Sequence, residues 1–183
     1  MDGIDSYRFW SSFGVRGLRF HADTTQPDVR RVYVDSSVIG GCLDAEFAAW
    51  STRIFEQFRS GRYVPVLSTV VGSEILAAPS GVQEYFGELR SMGAEILQVS
   101  PAVVTLADTY QQRGILSFKS YDDGLHIALA TVGAVDALVS WNFKHIVHYQ
   151  KIPQFNSVNR EFGYEPLQIY TPREVLTYGE TGD

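Results

Sequence analysis

The stretch Arg31-Val32-Tyr33-Val34-Asp35-Ser36-Ser37 decides how the chain is read. It is a short β-branched and aromatic run that ends in a carboxylate and two hydroxyls. In an extended chain Val32 and Val34 share one face and Tyr33 takes the other. Both faces are apolar, which predicts a strand covered on both sides, as in the middle of a parallel sheet. Ligands of such sheets gather outside the carboxyl ends of the strands. Asp35 stands at that end, so the chain is searched for what else converges on it.

Strand-like and helix-like segments alternate downstream. Leu43, Phe47, Trp50, Ile54 and Phe58 recur at three- and four-residue steps and predict an amphipathic helix ending before Gly61. Tyr63 to Ser68 reads as a strand, which Pro65 pushes toward an edge or strand-start position. Thr69 to Ala78 reads as a helix stopped by Pro79. Another helix follows to Met92, with Gly93 as its C-terminal cap. Further strands are expected over 94–99, 136–141 and 165–170. Helices are expected after Pro101, from Ser120 to Gly133, over 153–162, and from Thr171-Pro172-Arg173-Glu174, a capping box with proline at the first helical position. Such alternation implies parallel strands joined by crossover helices.

The 183 residues suit one domain with a full core. No apolar run approaches the roughly 20 residues that span a bilayer, and the start has no signal-peptide pattern. Cys42 is the single cysteine, so no internal disulfide forms and a cytoplasmic location is expected. The net charge of −6 argues against a nucleic-acid binder held by bulk electrostatics, but not against a local basic groove. Residues 1–31 carry five arginines against four aspartates, which leaves about −7 on the remainder. Residues 1–30 are expected to be an N-terminal extension, poorly ordered, with 31–178 as the domain and 179–183 as a short tail.

Four further positions carry chemistry, and each also has an ordinary structural reading. Asp35 suits a helix cap as well as a ligand. Glu74 lies in the mostly apolar VVGSEILAA, where little polar face is left for it. Asp122 and Asp123 open the helix YDDGLHIALA, where the macrodipole favours anions, and Ser120 as N-cap would put Asp123 in the capping-box position. Asn142 follows the strand ALVSW and suits a turn. His126 shares a helix face with Asp123 and reads as a core histidine with one hydrogen bond. If the acids meet, three carboxylates at one point demand a cation. Oxygen ligands without cysteine favour Mg²⁺, with Mn²⁺ as a substitute, over Zn²⁺. Such a site suits phosphodiester hydrolysis.

In this order the motifs resemble the PIN domain, and within it the VapC-type toxins of toxin–antitoxin pairs. RVYVDSSVIGG matches the first motif, SEILAA the second, DGLHIALA the third and VSWNFKHI the fourth, together spanning about residues 31–176. The resemblance implies a three-layer fold with a central, mainly parallel five-stranded sheet. It implies a Mg²⁺-dependent endoribonuclease that leaves a 5′-phosphate and a 3′-hydroxyl, usually a homodimer, and neutralised by an antitoxin. It makes Asp35, Glu74 and Asp123 the catalytic metal ligands. Asn142 stands where many members carry an acid and would supply a neutral oxygen, so one divalent ion is expected to bind well and a second weakly. Ser36, Ser140 and Asp122 are expected to support the acids from behind. Lys119, Lys144, His145 and Lys151 are candidate RNA contacts. The alternative is a non-catalytic PIN-like protein-binding module. A different doubly wound protein, such as a nucleotide-binding enzyme, is disfavoured because the chain has no Walker A loop and no GxGxxG after its first strand.

Overall fold

The computed structural model describes residues 30–180. The expectations about residues 1–29 and the last three residues lie outside them. Five strands form one all-parallel sheet: β1 (Arg30–Val34), β2 (Tyr63–Ser68), β3 (Glu95–Leu97), β4 (Ala137–Val139) and β5 (Ile169–Tyr170), in the order β3-β2-β1-β4-β5. Eight helices connect and flank them: α1 (Ser36–Gly41), α2 (Ala48–Arg59), α3 (Thr69–Leu76), α4 (Ser80–Ser91), α5 (Pro101–Gln112), α6 (Tyr121–Val132), α7 (Ile152–Glu161) and α8 (Pro172–Glu180). This is the PIN-like α/β fold the motifs imply. The last helix runs two residues into the stretch assigned to the tail.

The opening strand behaves as its composition requires. Val32, Tyr33 and Val34 are all buried, so apolar layers cover both faces of β1. From β1 the chain builds outward through β2 to β3, then returns across β1 to add β4 and β5. The order reverses between β1 and β4, and that switch opens a crevice at their carboxyl ends. Val34 pairs with Val139, and the Asp35 N–H bonds the Val139 carbonyl at 3.1 Å, which puts Asp35 at the mouth of this crevice.

The Gly93 cap and the Thr171 capping box read from sequence are made, and two serine caps not read from it accompany them. Ser68 accepts from the Val71 N–H to start α3, and Ser100 accepts from Val103 ahead of Pro101. Thr171 and Glu174 exchange hydrogen bonds of 2.8–3.1 Å, the two-way closure of a capping box. Gly93 sits at φ +83°, a left-handed position that ends α4 cheaply only for glycine.

Several boundaries differ from expectation for identifiable reasons. Residue 43 does not belong to the long helix: α1 ends at the Gly40-Gly41 pair, the Asp44 carboxylate accepts from the Glu46 N–H, and α2 begins at Ala48. Leu43 is accordingly 55% exposed. β2 is an interior strand, not an edge. Pro65 is tolerated because the ladder to β3 starts only at Val66, so β2 has no β3 neighbour at the proline. β5 is shorter than expected because the Asn156 side chain takes both the N–H and the carbonyl of Leu167, which keeps that segment a loop.

Candidate metal centre

Asp35 holds the N-cap position of α1, yet its side chain makes no capping hydrogen bond. The carboxylate is 4% exposed and turns into the crevice. Its Oδ2 accepts from the Ser37 hydroxyl and, at 2.7 Å, from the Ser140 hydroxyl at the end of β4. Both hydroxyls are themselves fixed: the Trp141 N–H donates to Ser37 and the Asn142 N–H donates to Ser140, each at 2.9 Å. Ser36 does not touch Asp35. It lies toward Glu74, whose pKa its hydroxyl lowers, because the chain enters α1 at once and the two serines diverge around the helix.

Glu74, on α3, extends over the same crevice with its side chain 35% exposed. Between Glu74 and Asp35 lies the residue that the sequence reading undervalued. His126 is fully buried on α6, and its Nε2 stands 3.2 Å from Glu74 Oε1 and 3.5 Å from Asp35 Oδ1. Its other ring nitrogen is 2.8 Å from the Tyr33 hydroxyl, which is 2.7 Å from Ser68 Oγ. Facing two carboxylates, Nε2 must carry a proton while no cation is bound there. With one ring nitrogen facing two carboxylates and the other the Tyr33 hydroxyl, the ring makes more than the single hydrogen bond expected of it. The available signal was the i, i+3 spacing to Asp123 on one helix face. Asp35, Glu74 and His126 each offer an atom, all within 4.8 Å of one another.

Asp123, on the first turn of α6, is not part of that group but lies near enough for the charges of Asp35, His126 and Glu74 to act on it. Ser120 does not cap this helix: its hydroxyl lies 3.2 Å from Ser117 Oγ and 3.3 Å from His145 Nε2. The Asp123 carboxylate instead accepts from Asn142 Nδ2 at 2.7 Å. That settles which end of Asn142 faces the acids, since its carbonyl oxygen accepts from the His145 N–H at 3.0 Å. The oxygen expected to serve a metal is thus the one that holds the loop. A loop N–H already occupies that oxygen, and the amide nitrogen is turned inward. Asp122 is exposed at the helix start and makes no hydrogen bond among the described residues.

The electrostatics follow from this packing. Burial raises the Asp123 pKa, the Asp35 charge raises it further, and the proximity of His126 offsets only part. Burial acts the same way on Glu74, but hydrogen bonds from His126 and Ser36 and the imidazolium charge outweigh it, so its pKa falls below the ordinary value. His126 is lifted above its ordinary value: burial opposes the charge, but Glu74, Asp35 and Asp123 together favour it. A raised histidine pKa adds stability that is complete below about pH 6.5 and lost as pH rises through the folded-state value. Chelator-treated protein is therefore expected to melt at progressively lower temperature above neutral pH, and a His126→Gln variant should lose that slope. A flat profile in the parent would contradict the assignment. Glu74 acts at the acid end, where its contribution disappears as pH falls through its lowered value.

The cationic side chains divide into two groups. Arg31, Arg59 and Arg113 are paired with Glu95, Glu88 and Glu161 at 2.6–2.7 Å. Lys119, Lys144 and Lys151 have no carboxylate partner among the described residues. Lys151 Nζ lies 3.2 Å from His145 Nδ1 and donates to the Lys144 carbonyl. The nearby lysines and burial lower the His145 pKa, which keeps that ring neutral. The loop following Asn142 is therefore basic and uncommitted.

No protein-family model and no curated protein matches the sequence. Solved structures share its fold. A chain of FitAcB from Neisseria gonorrhoeae is 11% identical over 77% of this chain and 97% of its own, with a TM-score of 0.50. A chain of FitAB bound to an IR36 DNA fragment is 11% identical over 77% and 94%, with a TM-score of 0.50. A chain of VapBC2 from Rickettsia felis, bound to a DNA fragment from its promoter, is 12% identical over 77% and 98%, with a TM-score of 0.49. At such identities the likeness is one of fold.

Proposed function

We propose that the chain is a metal-dependent endoribonuclease, the toxin of a toxin–antitoxin pair. One observation carries the reading: Asp35, Glu74 and His126, far apart in sequence, come within 4.8 Å of one another at the switch point of a PIN-like sheet, with Asp123 near enough to feel their charges. Burial, and after it the Asp35 charge, raises the Asp123 pKa, and a divalent cation would relieve such a cluster. Carboxylates without cysteine fit Mg²⁺ or Mn²⁺, which Asp35 and Glu74 would hold, with Asp123 and His126 beside them. When bound there, the ion supplies an activated water and charge stabilisation on a phosphate.

The chain's own residues prepare the site. Ser37 and Ser140 fix the rotamer of Asp35, and Asn142 fixes Asp123. Tyr33 orients the His126 ring. The uncommitted Lys119, Lys144 and Lys151, with His145, offer contacts to RNA phosphates along one side of the crevice. Hydrolysis at this site leaves a 5′-phosphate and a 3′-hydroxyl. By the sequence resemblance, the antitoxin is a protein partner that covers the crevice, and the toxin pairs as a homodimer. Among the described residues no helix is long and apolar enough to cross a membrane.

Because Asn142 presents an amide nitrogen to Asp123, the fourth motif lends the cluster no anionic oxygen. Calorimetric titration of the chelator-treated protein is expected to give one tight Mg²⁺ or Mn²⁺ per chain. Two tight ions without RNA would contradict this geometry. Cleavage of single-stranded RNA that stops with EDTA and returns with Mg²⁺ tests the function itself.

A second reading rests on a specific observation. The acids already have internal partners: His126 serves Asp35 and Glu74, and Asn142 serves Asp123. A cluster balanced in this way suits a PIN-like protein-binding module without catalysis. RNA left intact in Mg²⁺ and in Mn²⁺ would decide for it.

A further inference from the structure

Beside the acidic crevice lies a cluster of aromatic rings that the proposed chemistry does not use. Phe47 stacks on Trp141 with ring centres 4.6 Å apart and planes 26° from parallel. Phe143 leans against both, at 6.5 Å from Phe47 and 6.1 Å from Trp141. A cavity of about 440 Å³ opens alongside them, bounded also by Trp50, Arg173, Glu46 and Glu174. That volume falls within the roughly 300–1,000 Å³ of small-ligand pockets.

The shelf is rigid. Trp141 Nε1 donates to the buried Ser51 hydroxyl at 2.9 Å, and its backbone N–H holds Ser37, which in turn holds Asp35. Space for the indole depends on Gly41, where a Cβ would come 3.0 Å from Trp141 and 2.6 Å from Ser51 Oγ. Trp50 is already engaged, with the Arg53 and Arg173 guanidinium carbons 5.3 and 5.5 Å from its ring centre. Phe143 remains, 51% exposed, directly after Asn142 and directly before Lys144. The exposed ring is therefore the immediate chain neighbour of the Asp123-fixing amide on one side and of an unpaired cation on the other.

An exposed ring between a hydrolytic crevice and free lysines matches one ligand chemistry, a base joined to a phosphodiester backbone. We propose that Phe143, backed by Phe47 and Trp141, is a stacking platform for an unpaired nucleobase next to the scissile phosphate. This deepens, and rests on, the nuclease reading: it names the residue that would hold a base of the single-stranded substrate. A duplex keeps its bases stacked on one another and presents none to the shelf.

The test uses the full chain in EDTA, with two fluorescent decamers, oligouridylate and an abasic ribose-phosphate chain of equal length. Parent protein is expected to bind oligouridylate roughly tenfold or more tighter than the abasic chain, the scale of one lost base–aromatic stack. Phe143→Ala should erase that difference, and Phe143→Trp should keep it. Unchanged melting temperatures confirm that both variants fold, as an exposed side chain allows. Equal binding of the two decamers by the parent, or undiminished oligouridylate binding by Phe143→Ala, overturns the platform. So does a Phe143→Ala variant that loses a protein partner while binding RNA as before, since the shelf would then be a peptide site. Metal-dependent cleavage is measured separately. If cleavage depends on Asp35 and metal while binding ignores Phe143, the platform fails and the nuclease stands. If no RNA is cut but the base-dependent binding persists, the nuclease fails and the platform stands.

Discussion

Asp35→Asn is expected to lower cleavage of single-stranded RNA by at least about 100-fold, since losing even an outer partner of a metal ligand costs about 10- to 100-fold. Asp35 is the most enclosed of the acids, and one of its oxygens is committed to two hydroxyl donors. Only the other oxygen faces His126 and the crevice. The amide preserves shape and can still accept from Ser37 and Ser140 through its carbonyl, but it removes the negative charge. Calorimetry should show weakened Mg²⁺ binding in the same variant. In chelator, the melting temperature should hold or rise, because a buried charge that repels Asp123 has gone. Undiminished cleavage in Asp35→Asn would remove the acidic crevice from the reaction.

Asn142→Asp is the second large effect, and it has opposite signs with and without metal. At present the Asn142 amide gives Asp123 a 2.7 Å hydrogen bond. A carboxylate there cannot donate, and it brings a fourth negative charge against the three already present. Loss of a hydrogen bond to a charged group costs about 2 kcal/mol, so the variant should melt earlier than the parent in EDTA. A divalent ion should restore that loss and bind more tightly than to the parent, with a second ion appearing in the titration. A variant that is equally stable in EDTA and shows unchanged metal stoichiometry would mean that Asn142 has no part in tuning the cluster.

The sequence by itself determined the alternation of elements, the buried first strand, and the caps at Gly93 and Thr171. Each of these is local. A β-branched run with both faces apolar can sit only inside a sheet, and Thr171 with Glu174 closes a capping box within one turn. The motif order then named the fold.

What the tertiary structure decided are the directions of side chains across elements. Ser36 and Ser37 are adjacent and chemically identical, yet one serves Glu74 and the other Asp35, because the first turn of α1 sends them to different neighbours. His126 looked like core because its helix face is apolar. Only the meeting of α3, α6 and the end of β1 surrounds it with acids. Asn142 has an oxygen and a nitrogen to offer, and composition cannot say which turns inward. The loop N–H of His145 takes the oxygen and leaves the nitrogen for Asp123. Periodicity reports which face a residue occupies, and hydrogen-bond geometry reports what that residue can do there. For Asp35 the two agree, and for His126 and Asn142 only the folded crevice supplies the answer.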